Sequence, residues 1–199
     1  MINIDNINES EPYIKFIEFY KKALKSNQNN IEAICISSFN IEKNEVNSRF
    51  VNLKYINDKE FIFFSNYQSN KAQDFTSHTQ VCGLFFWNSI NTQIKIKCKI
   101  KKTDVSFSDM HFNNRSIEKN ALAISSSQSS RTESYNEVIK KYKNTLKTIT
   151  SETKRPAYWG GFSLIPYYFE FWEGHESRIN KREVYESSDN NWNNYFLEP

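Results

Sequence analysis

The residues best suited to chemistry in this sequence are cations and amides, not nucleophiles or paired acids. The run RFVNLK places Arg49 and Lys54 at the two ends of an apolar β-like stretch, and Lys71 follows at the predicted start of a helix. Backbone N–H groups at a helix N-terminus attract anions, and nearby cationic side chains add to that attraction. We therefore expect this stretch to form an anion site with a phosphate as its guest.

The spacing of the first two cations sets a condition on that site. Arg49 and Lys54 are an odd number of residues apart, so a flat strand over 49–56 would point them to opposite faces. A shared ligand would need a bulge in the strand or a place where two chains meet. The alternative is that both cations are ordinary solvated strand ends.

Strands and short helices must position these residues. The hydrophobic patterns predict helices at 11–26, 69–77, 106–124 and 135–149, the third with a break. They predict strands at 31–38, 49–56, 61–64, 80–86, 92–102, 167–172, 183–185 and 192–199. Strict alternation in TQIKIKCKIKK is typical of an antiparallel strand with one buried face. We expect one domain over 1–199, with residues 1–10 disordered.

Composition excludes several classes of function. A net charge of +3 with a pI near 8.6 is too mild for a nucleic-acid-binding protein. No apolar stretch approaches transmembrane length and the N-terminus does not resemble a signal peptide, so we expect a cytoplasmic protein. Cys35, Cys82 and Cys98 have no paired spacing and are expected to be reduced thiols, and the histidines form no metal-binding motif.

Several motifs together resemble one family. They are Arg49…Lys54, Phe64-Ser65, Ser69-Asn70-Lys71-Ala72, Gln128-Ser129-Ser130-Arg131, and Trp172 followed by Arg178 and Arg182. This set, within roughly Ile31 to Pro199, resembles the pyridoxamine (pyridoxine) 5′-phosphate oxidase family. The resemblance implies a mainly β fold with peripheral helices, an antiparallel FMN-binding split β-barrel of six to eight strands. It also implies FMN as cofactor and a homodimer with FMN at the interface.

The resemblance also assigns residues to roles. Those implied to bind the cofactor are Arg49, Phe50, Val51, Asn52, Leu53, Lys54, Phe64, Ser65, Asn70, Lys71, Gln93, Gln128, Ser129, Trp172 and Arg182. Those implied to bind the substrate are Lys54, His111, Arg115, Lys119, Arg178 and Asn180, with Arg178 also catalytic. This sequence departs from the family at four of these positions: Asn70 replaces an Arg, His111 a Tyr, Lys119 a Ser and Asn180 a His.

The activity implied is oxidation of pyridoxamine or pyridoxine 5′-phosphate to pyridoxal 5′-phosphate, with O2 as acceptor and H2O2 as product. A flavin carries such chemistry, so the absence of a nucleophile motif fits. Two alternatives stay open. One is a divergent flavin oxidoreductase acting on another substrate, as the phenazine-biosynthesis relatives do. The other is a non-catalytic binder of FMN or pyridoxal phosphate.

Overall fold

The computed structural model describes residues 1–188 and 191–199. Its strands are β1 Asn3–Ile7, β2 Ala33–Asn40, β3 Glu45–Asn52, β4 Tyr55–Asp58, β5 Glu60–Asn66, β6 Gln80–Trp87, β7 Thr92–Lys102, β8 Trp159–Glu173, β9 Lys181–Ser188 and β10 Asn191–Leu197. Its helices are α1 Glu11–Lys25, α2 Asn70–Ser77, α3 Val105–Asn113, α4 Ile117–Ser125 and α5 Tyr135–Thr148, with a short 3-10 turn at Asn88–Ile90. None of these helices is long and apolar enough to cross a membrane.

The strands form one sheet in the order β1-β4-β5-β8-β7-β6-β2-β3, with β9 paired to β8 and β10 to β9. The mainly β class with peripheral helices is confirmed. The ten strands in the described part of the chain exceed the six to eight expected, and β1 pairs with β4 in parallel. Residues of β7 alternate as predicted: Ile94, Ile96 and Cys98 are buried.

Aromatic side chains fill the core between α1 and the sheet. Phe16 of α1 contacts Phe61 and Phe85 edge-on, with ring centroids 5.0 and 5.3 Å apart. Tyr13 meets Phe169 of β8 at 5.1 Å. Such pairs add to the stabilisation that burial of the rings already supplies.

The prediction that residues 1–10 are disordered is wrong for most of that segment. The Asn3 N–H donates to the carbonyl of Lys54 at 2.8 Å, and the buried Ile2 donates its N–H to the Tyr20 hydroxyl at 3.0 Å. These bonds add Asn3–Ile7 to the exposed edge of β4 as an extra strand. The polar composition of this segment gave no strand signal. An edge strand is held mainly by backbone hydrogen bonds, so it can form without a pattern of apolar side chains.

The predicted strand over 49–56 is interrupted between β3 and β4. The Leu53 N–H donates to the Glu32 carbonyl, in the segment leading into β2, whereas the Lys54 N–H donates to the Ile62 carbonyl of β5. The chain therefore passes from one edge of the sheet to the other between these two residues. The crossing removes the strict two-residue alternation, so Arg49 and Lys54 can face the same space.

Candidate functional site

A cavity of about 470 Å³ lies where β3 and β5 approach each other. Its lining residues are Arg49, Phe50, Val51, Asn52, Lys54, Phe64, Ser65, Lys71, His111, Arg115, Gln128 and Trp159. An adjoining cavity of about 180 Å³ shares five of these and adds Lys119 beside α4. The lining of both contains cations, amides and aromatic rings but no Asp or Glu among the described residues.

Arg49 is held in place by a buried carboxylate. Its guanidinium Nη2 lies 3.1 Å from Asp74 Oδ2, and Nη1 donates to the Ser38 hydroxyl at 2.7 Å. Asp74 also accepts from Ser38 and from Asn40, each at 2.8 Å. Burial acts to raise the pKa of Asp74, but these hydrogen bonds and the charge of Arg49 outweigh it and lower the pKa. Asp74 therefore orients Arg49, and no local pattern in the sequence indicated that role.

Lys71 lies at the first turn of α2 beside polar oxygens. Its Nζ is 3.2 Å from the Ser65 hydroxyl, and that hydroxyl donates to Gln128 Oε1 at 2.9 Å. No carboxylate pairs with Lys71 within residues 1–188 and 191–199. Burial, and secondly the charge of Arg49, lower the pKa of Lys71. This cation is therefore available to an anionic ligand.

His111 of α3 forms part of an aromatic wall. Its ring stacks on Phe64 with centroids 3.6 Å apart, and its Nδ1 lies 2.9 Å from the Tyr55 hydroxyl. Burial lowers the pKa of His111 to about 4, helped by the charges of Arg115, Lys54 and Lys119. The imidazole is therefore neutral at pH 7.

Arg115 completes the cationic side of the cavity. Its guanidinium lies 4.4 Å from the centroid of the Trp159 ring, and Nη2 donates to the Lys119 carbonyl at 3.0 Å. Burial lowers the pKa of Arg115 to about 10, so it stays charged at neutral pH. Its Nη1 is buried without a hydrogen-bond partner in the described chain. A buried polar atom without a partner calls for an explanation, and an anion bound beside Arg115 would provide one.

The resemblance did not assign a role to Trp159, which lies at the start of β8. Arg155 donates to the Trp159 carbonyl through Nη1 and pairs with Asp109 through Nε at 2.7 Å. A side chain added to the following residue, Gly160, would collide with the Tyr67 ring and hydroxyl. The adjacent glycines Gly160 and Gly161 thus allow a close approach of the backbone to neighbouring side chains. They were the signal that could have marked this tryptophan.

A second group of predicted residues lies elsewhere on the sheet. Gln93 of β7 pairs with Trp172 near the end of β8, which in turn pairs with Arg182 of β9. None of the three lines either cavity. Arg182 donates from Nε and Nη2 to Glu170 at 2.9 and 2.7 Å. Burial acts to raise the pKa of Glu170, but hydrogen bonds from Lys95 and Arg182 outweigh it and lower the pKa.

The predicted residues Arg178 and Asn180 lie in the loop between β8 and β9. Arg178 is exposed and has a positive φ of 64°. Asn180 accepts a hydrogen bond from the His175 N–H at 3.0 Å. Both belong to the part of the molecule that carries Arg182 and not to the two cavities.

Three further predicted residues do not line the two cavities. Leu53 is fully buried in the core, where its N–H holds the chain crossing. Asn70 is exposed at the start of α2. Ser129 follows Gln128 with a φ of 73° and lines a separate small cleft beside α5. A backbone contribution from any of the three is compatible with these positions, but no side-chain contact with the cavity is present.

Solved structures with the same fold define the class of protein. PhzG from Burkholderia lata, crystallised with tetrahydrophenazine-1-carboxylic acid, has a TM-score of 0.89 at 24% identity, over 96% of this chain and 93% of that one. A pyridoxamine 5′-phosphate oxidase-related, FMN-binding protein from Nostoc punctiforme has a TM-score of 0.77 at 11% identity, over 96% and 100%. The fold is therefore the FMN-binding split barrel, as predicted.

Sequence relatives define the family. The pyridoxine/pyridoxamine 5′-phosphate oxidase of Rippkaea orientalis is 32% identical over 98% of this chain and 92% of its own length. That of Cytophaga hutchinsonii is 35% identical over 94% and 88%. Residues 159–199 match the family model described as the pyridoxine 5′-phosphate oxidase C-terminal dimerisation region. The chain belongs to the pyridoxine/pyridoxamine 5′-phosphate oxidase family.

Proposed function

We propose that this chain is an FMN-dependent oxidase that converts pyridoxamine or pyridoxine 5′-phosphate to pyridoxal 5′-phosphate, reducing O2 to H2O2. We further propose a cytoplasmic homodimer with FMN at the subunit interface. The observation that supports this is the cavity itself, in which cations and aromatic rings face one space without a neutralising carboxylate among its described lining residues. Family membership supports the same class of reaction.

The flavin phosphate is proposed to lie at the end of the cavity nearest α2. Lys71 supplies an unpaired charge there, Ser65 a hydroxyl, and Arg49 a guanidinium held by Asp74. The N-terminus of α2 adds backbone donors and a favourable dipole. When bound, FMN would supply a hydride acceptor that O2 can reoxidise. The residues of this chain supply only binding, orientation and charge.

The substrate phosphate is proposed to lie at the other end. Lys54 and Arg115 face this end of the cavity, and Lys119 adds a third cation from the adjoining one. Neutral His111 contributes a hydrogen-bonding nitrogen without adding a charge. A phosphate dianion would satisfy the free Nη1 of Arg115 and relieve the mutual repulsion of these cations.

A second copy of the chain is needed to complete this site. Trp159 lines the cavity, whereas Trp172 lies thirteen residues further along the same strand. At about 3.3 Å per residue that is roughly 40 Å of strand. One chain therefore cannot readily bring both ends of β8 to one flavin, but two chains in an antiparallel arrangement can. Gln93, Arg178 and Arg182 would then serve the partner's cavity.

The proposed interface is the outer face of the sheet near Phe50 and Phe86. These side chains are 73% and 58% exposed, which is unusual for phenylalanine on a strand. Residues 159–199 match a region described by its role in dimerisation. Phe86→Glu should shift the protein toward monomer in sedimentation, and Tyr135→Glu, at an exposed position on α5, should not.

A second candidate is a flavin oxidoreductase of this family acting on a different substrate. The observation favouring it is the set of departures at the proposed substrate end, His111, Lys119 and Asn180. PhzG, a protein of the same fold, was crystallised with a phenazine carboxylic acid. This candidate predicts flavin binding but weak reduction by pyridoxamine 5′-phosphate.

The visible spectrum of the purified protein tests these proposals in sequence. A flavin absorbance band that co-purifies or appears after FMN addition supports a flavoprotein, and its absence would reject the proposal. Anaerobic bleaching of the band by pyridoxamine 5′-phosphate, with pyridoxal 5′-phosphate formed in equal amount, supports the oxidase. Bleaching by a different organic substrate, but not by pyridoxamine 5′-phosphate, favours the second candidate. Flavin binding without bleaching by any substrate indicates a non-catalytic binder.

A further inference from the structure

The Tyr55 hydroxyl and the His111 imidazole form a polar contact at the substrate end that involves no charged side chain. The Tyr55 hydroxyl and His111 Nδ1 lie 2.9 Å apart, with the two ring centroids 5.3 Å apart at 82°. His111 is also fixed by its stack on Phe64. Tyr55 is in turn packed edge-on against Phe107 at 5.2 Å. Both rings are therefore held on two sides, so the hydrogen bond cannot easily be lost by rotation.

The other imidazole nitrogen, Nε2, is left to the cavity. His111 lines the cavity, and Nε2 has no hydrogen-bond partner in residues 1–188 and 191–199. The charged groups acting on the ring are Arg115, Lys54 and Lys119, all cationic. They oppose protonation of the ring, so a neutral tautomer prevails at pH 7 and one nitrogen carries the single proton.

A neutral imidazole can donate to an anion only if its proton is on Nε2. That arrangement requires Nδ1 to accept, and the Tyr55 hydroxyl is the group placed to donate to it. The reverse arrangement, with Nδ1 donating to the tyrosine oxygen, would present a lone pair to the anion and repel it. The Tyr55 hydroxyl can donate to Nδ1, which stabilises the tautomer whose proton is on Nε2.

We propose that Tyr55 is a positioning residue that holds His111 as a neutral Nε2–H donor to the phosphate of the substrate. This inference rests on the proposed function, because it takes the substrate end of the cavity to bind a phosphate. It assigns a role to a residue outside the predicted site. It also explains how histidine serves at a position where the resemblance expects a tyrosine. The Tyr55 hydroxyl donates to Nδ1 of His111, and Nε2–H of His111 then donates to the phosphate.

The direct test is the tautomer of His111, read from the ¹⁵N chemical shifts of histidine-labelled protein. The His111 signals are assigned by their loss in His111→Gln. In the FMN-loaded protein at pH 7.5 with pyridoxamine 5′-phosphate, the expected state is Nε2–H with Nδ1 unprotonated. The Tyr55→Phe variant should show a mixture of tautomers. A dominant Nδ1–H form in the liganded wild type would overturn the proposal.

Kinetics provides the second measurement. Tyr55→Phe should raise KM for pyridoxamine 5′-phosphate about three- to tenfold with kcat nearly unchanged, the effect of weakening one hydrogen bond. His111→Phe keeps the ring stack but loses the donor, so its KM should rise about tenfold or more. His111→Gln keeps a neutral donor and should recover part of that loss. Equal KM values for wild type and Tyr55→Phe would refute the inference, as would an equal loss for unphosphorylated pyridoxamine.

Two controls separate this inference from the proposed function. Tyr135→Phe, at a site 76% exposed on α5, should change neither tautomer nor KM. If the wild type fails to oxidise pyridoxamine 5′-phosphate, the proposed function fails, and the tautomer measurement is repeated with inorganic phosphate as probe. A phosphate-dependent shift to Nε2–H that is lost in Tyr55→Phe would still support the pairing, and its absence would reject it.

Discussion

Lys71 and Arg49 both line the proposed flavin phosphate site, yet their removal should have opposite effects on the empty protein. Lys71 has no carboxylate partner among the described residues, and burial, followed by the charge of Arg49, lowers its pKa. Lys71→Gln therefore breaks no ion pair and relieves a repulsion. Among the described residues Arg49 is the one cation paired with Asp74, whose side chain is 2% exposed, and Arg49→Gln removes it.

The magnitudes follow from these contacts. Loss of a charge-assisted hydrogen bond to phosphate costs about 1.5–3 kcal/mol, which is about a 10- to 150-fold rise in Kd for FMN. Both variants should show it. For the apo protein, Asp74 keeps its bonds from Ser38 and Asn40, so Arg49→Gln should cost about 2 kcal/mol. That corresponds to a fall in Tm of about 4–8 °C for a chain of this size. Lys71→Gln should leave Tm unchanged or slightly raised.

Fluorescence titration with FMN and with riboflavin isolates the phosphate contribution. Riboflavin lacks the phosphate, so its Kd should be the same in wild type and Lys71→Gln. Equal weakening for both ligands would mean that Lys71 acts on the ring or the fold, and the reasoning would be refuted. A fall in apo Tm for Lys71→Gln comparable to that of Arg49→Gln would refute the assignment of Lys71 as an unpaired cation.

Three other perturbations test the framework around the site. Burial raises the pKa of Glu183, but Lys15 and other donors outweigh it and lower the pKa to about 2. Glu183 therefore contributes its full stabilisation above about pH 4.5 and loses about 1–2 kcal/mol of it as the pH falls toward 2. Between pH 5 and pH 3, urea unfolding should show a smaller fall in the free energy of unfolding for Lys15→Met than for the wild type. Equal falls in the two proteins would contradict this. Gly160→Ala should destabilise the protein by about 1–3 kcal/mol in thermal unfolding because the new methyl group collides with Tyr67. Adding Tyr67→Ala should recover part of that stability. An unchanged Tm for Gly160→Ala would contradict the close approach. Arg182→Ala should lose flavin absorbance and lower stability, since the buried carboxylate of Glu170 loses one of its two cationic partners and keeps Lys95. Arg182→Lys should recover more of the lost stability than of the lost flavin binding. Full flavin occupancy in Arg182→Ala would show that Arg182 does not belong to the flavin site.

The local parts of the candidate site could be predicted from sequence, whereas the connection between them could not. Arg49, Lys71 and Gln128 each belong to a short motif whose residue types suit an anion, and all three line one cavity. The crossing at Leu53 and Lys54 depends on which distant strands accept their N–H groups. The alternation of residues along a strand does not report which strand it pairs with. The pattern therefore predicted one continuous strand, with Arg49 and Lys54 on opposite faces.

Residues that orient the site were harder to predict than residues that line it. Asp74 is one acidic residue in a polar helix, and only its burial beside Arg49 reveals its role. Trp159 and Tyr55 act through stacking and a single hydrogen bond, neither of which leaves a spacing pattern. Such partners are chosen by three-dimensional neighbours, so a single sequence carries little signal for them.

The two halves of the proposed site differ in how their charges are balanced, and this difference bears on their roles. At the Arg182 end, the cation is paired with Glu170, a carboxylate buried in the same sheet. Around the cavity, burial and like charges lower the pKa values of Lys71 and His111, so the fold there bears an uncompensated electrostatic cost. A ligand that binds only the folded state stabilises that state, so an anion bound here would offset the unfavourable electrostatic energy. The cavity, whose cations have no carboxylate on its lining, is therefore where we expect the phosphate groups to bind. In the proposed dimer, Glu170 holds Arg182 through two hydrogen bonds, and this fixed guanidinium would contact the flavin of the partner subunit.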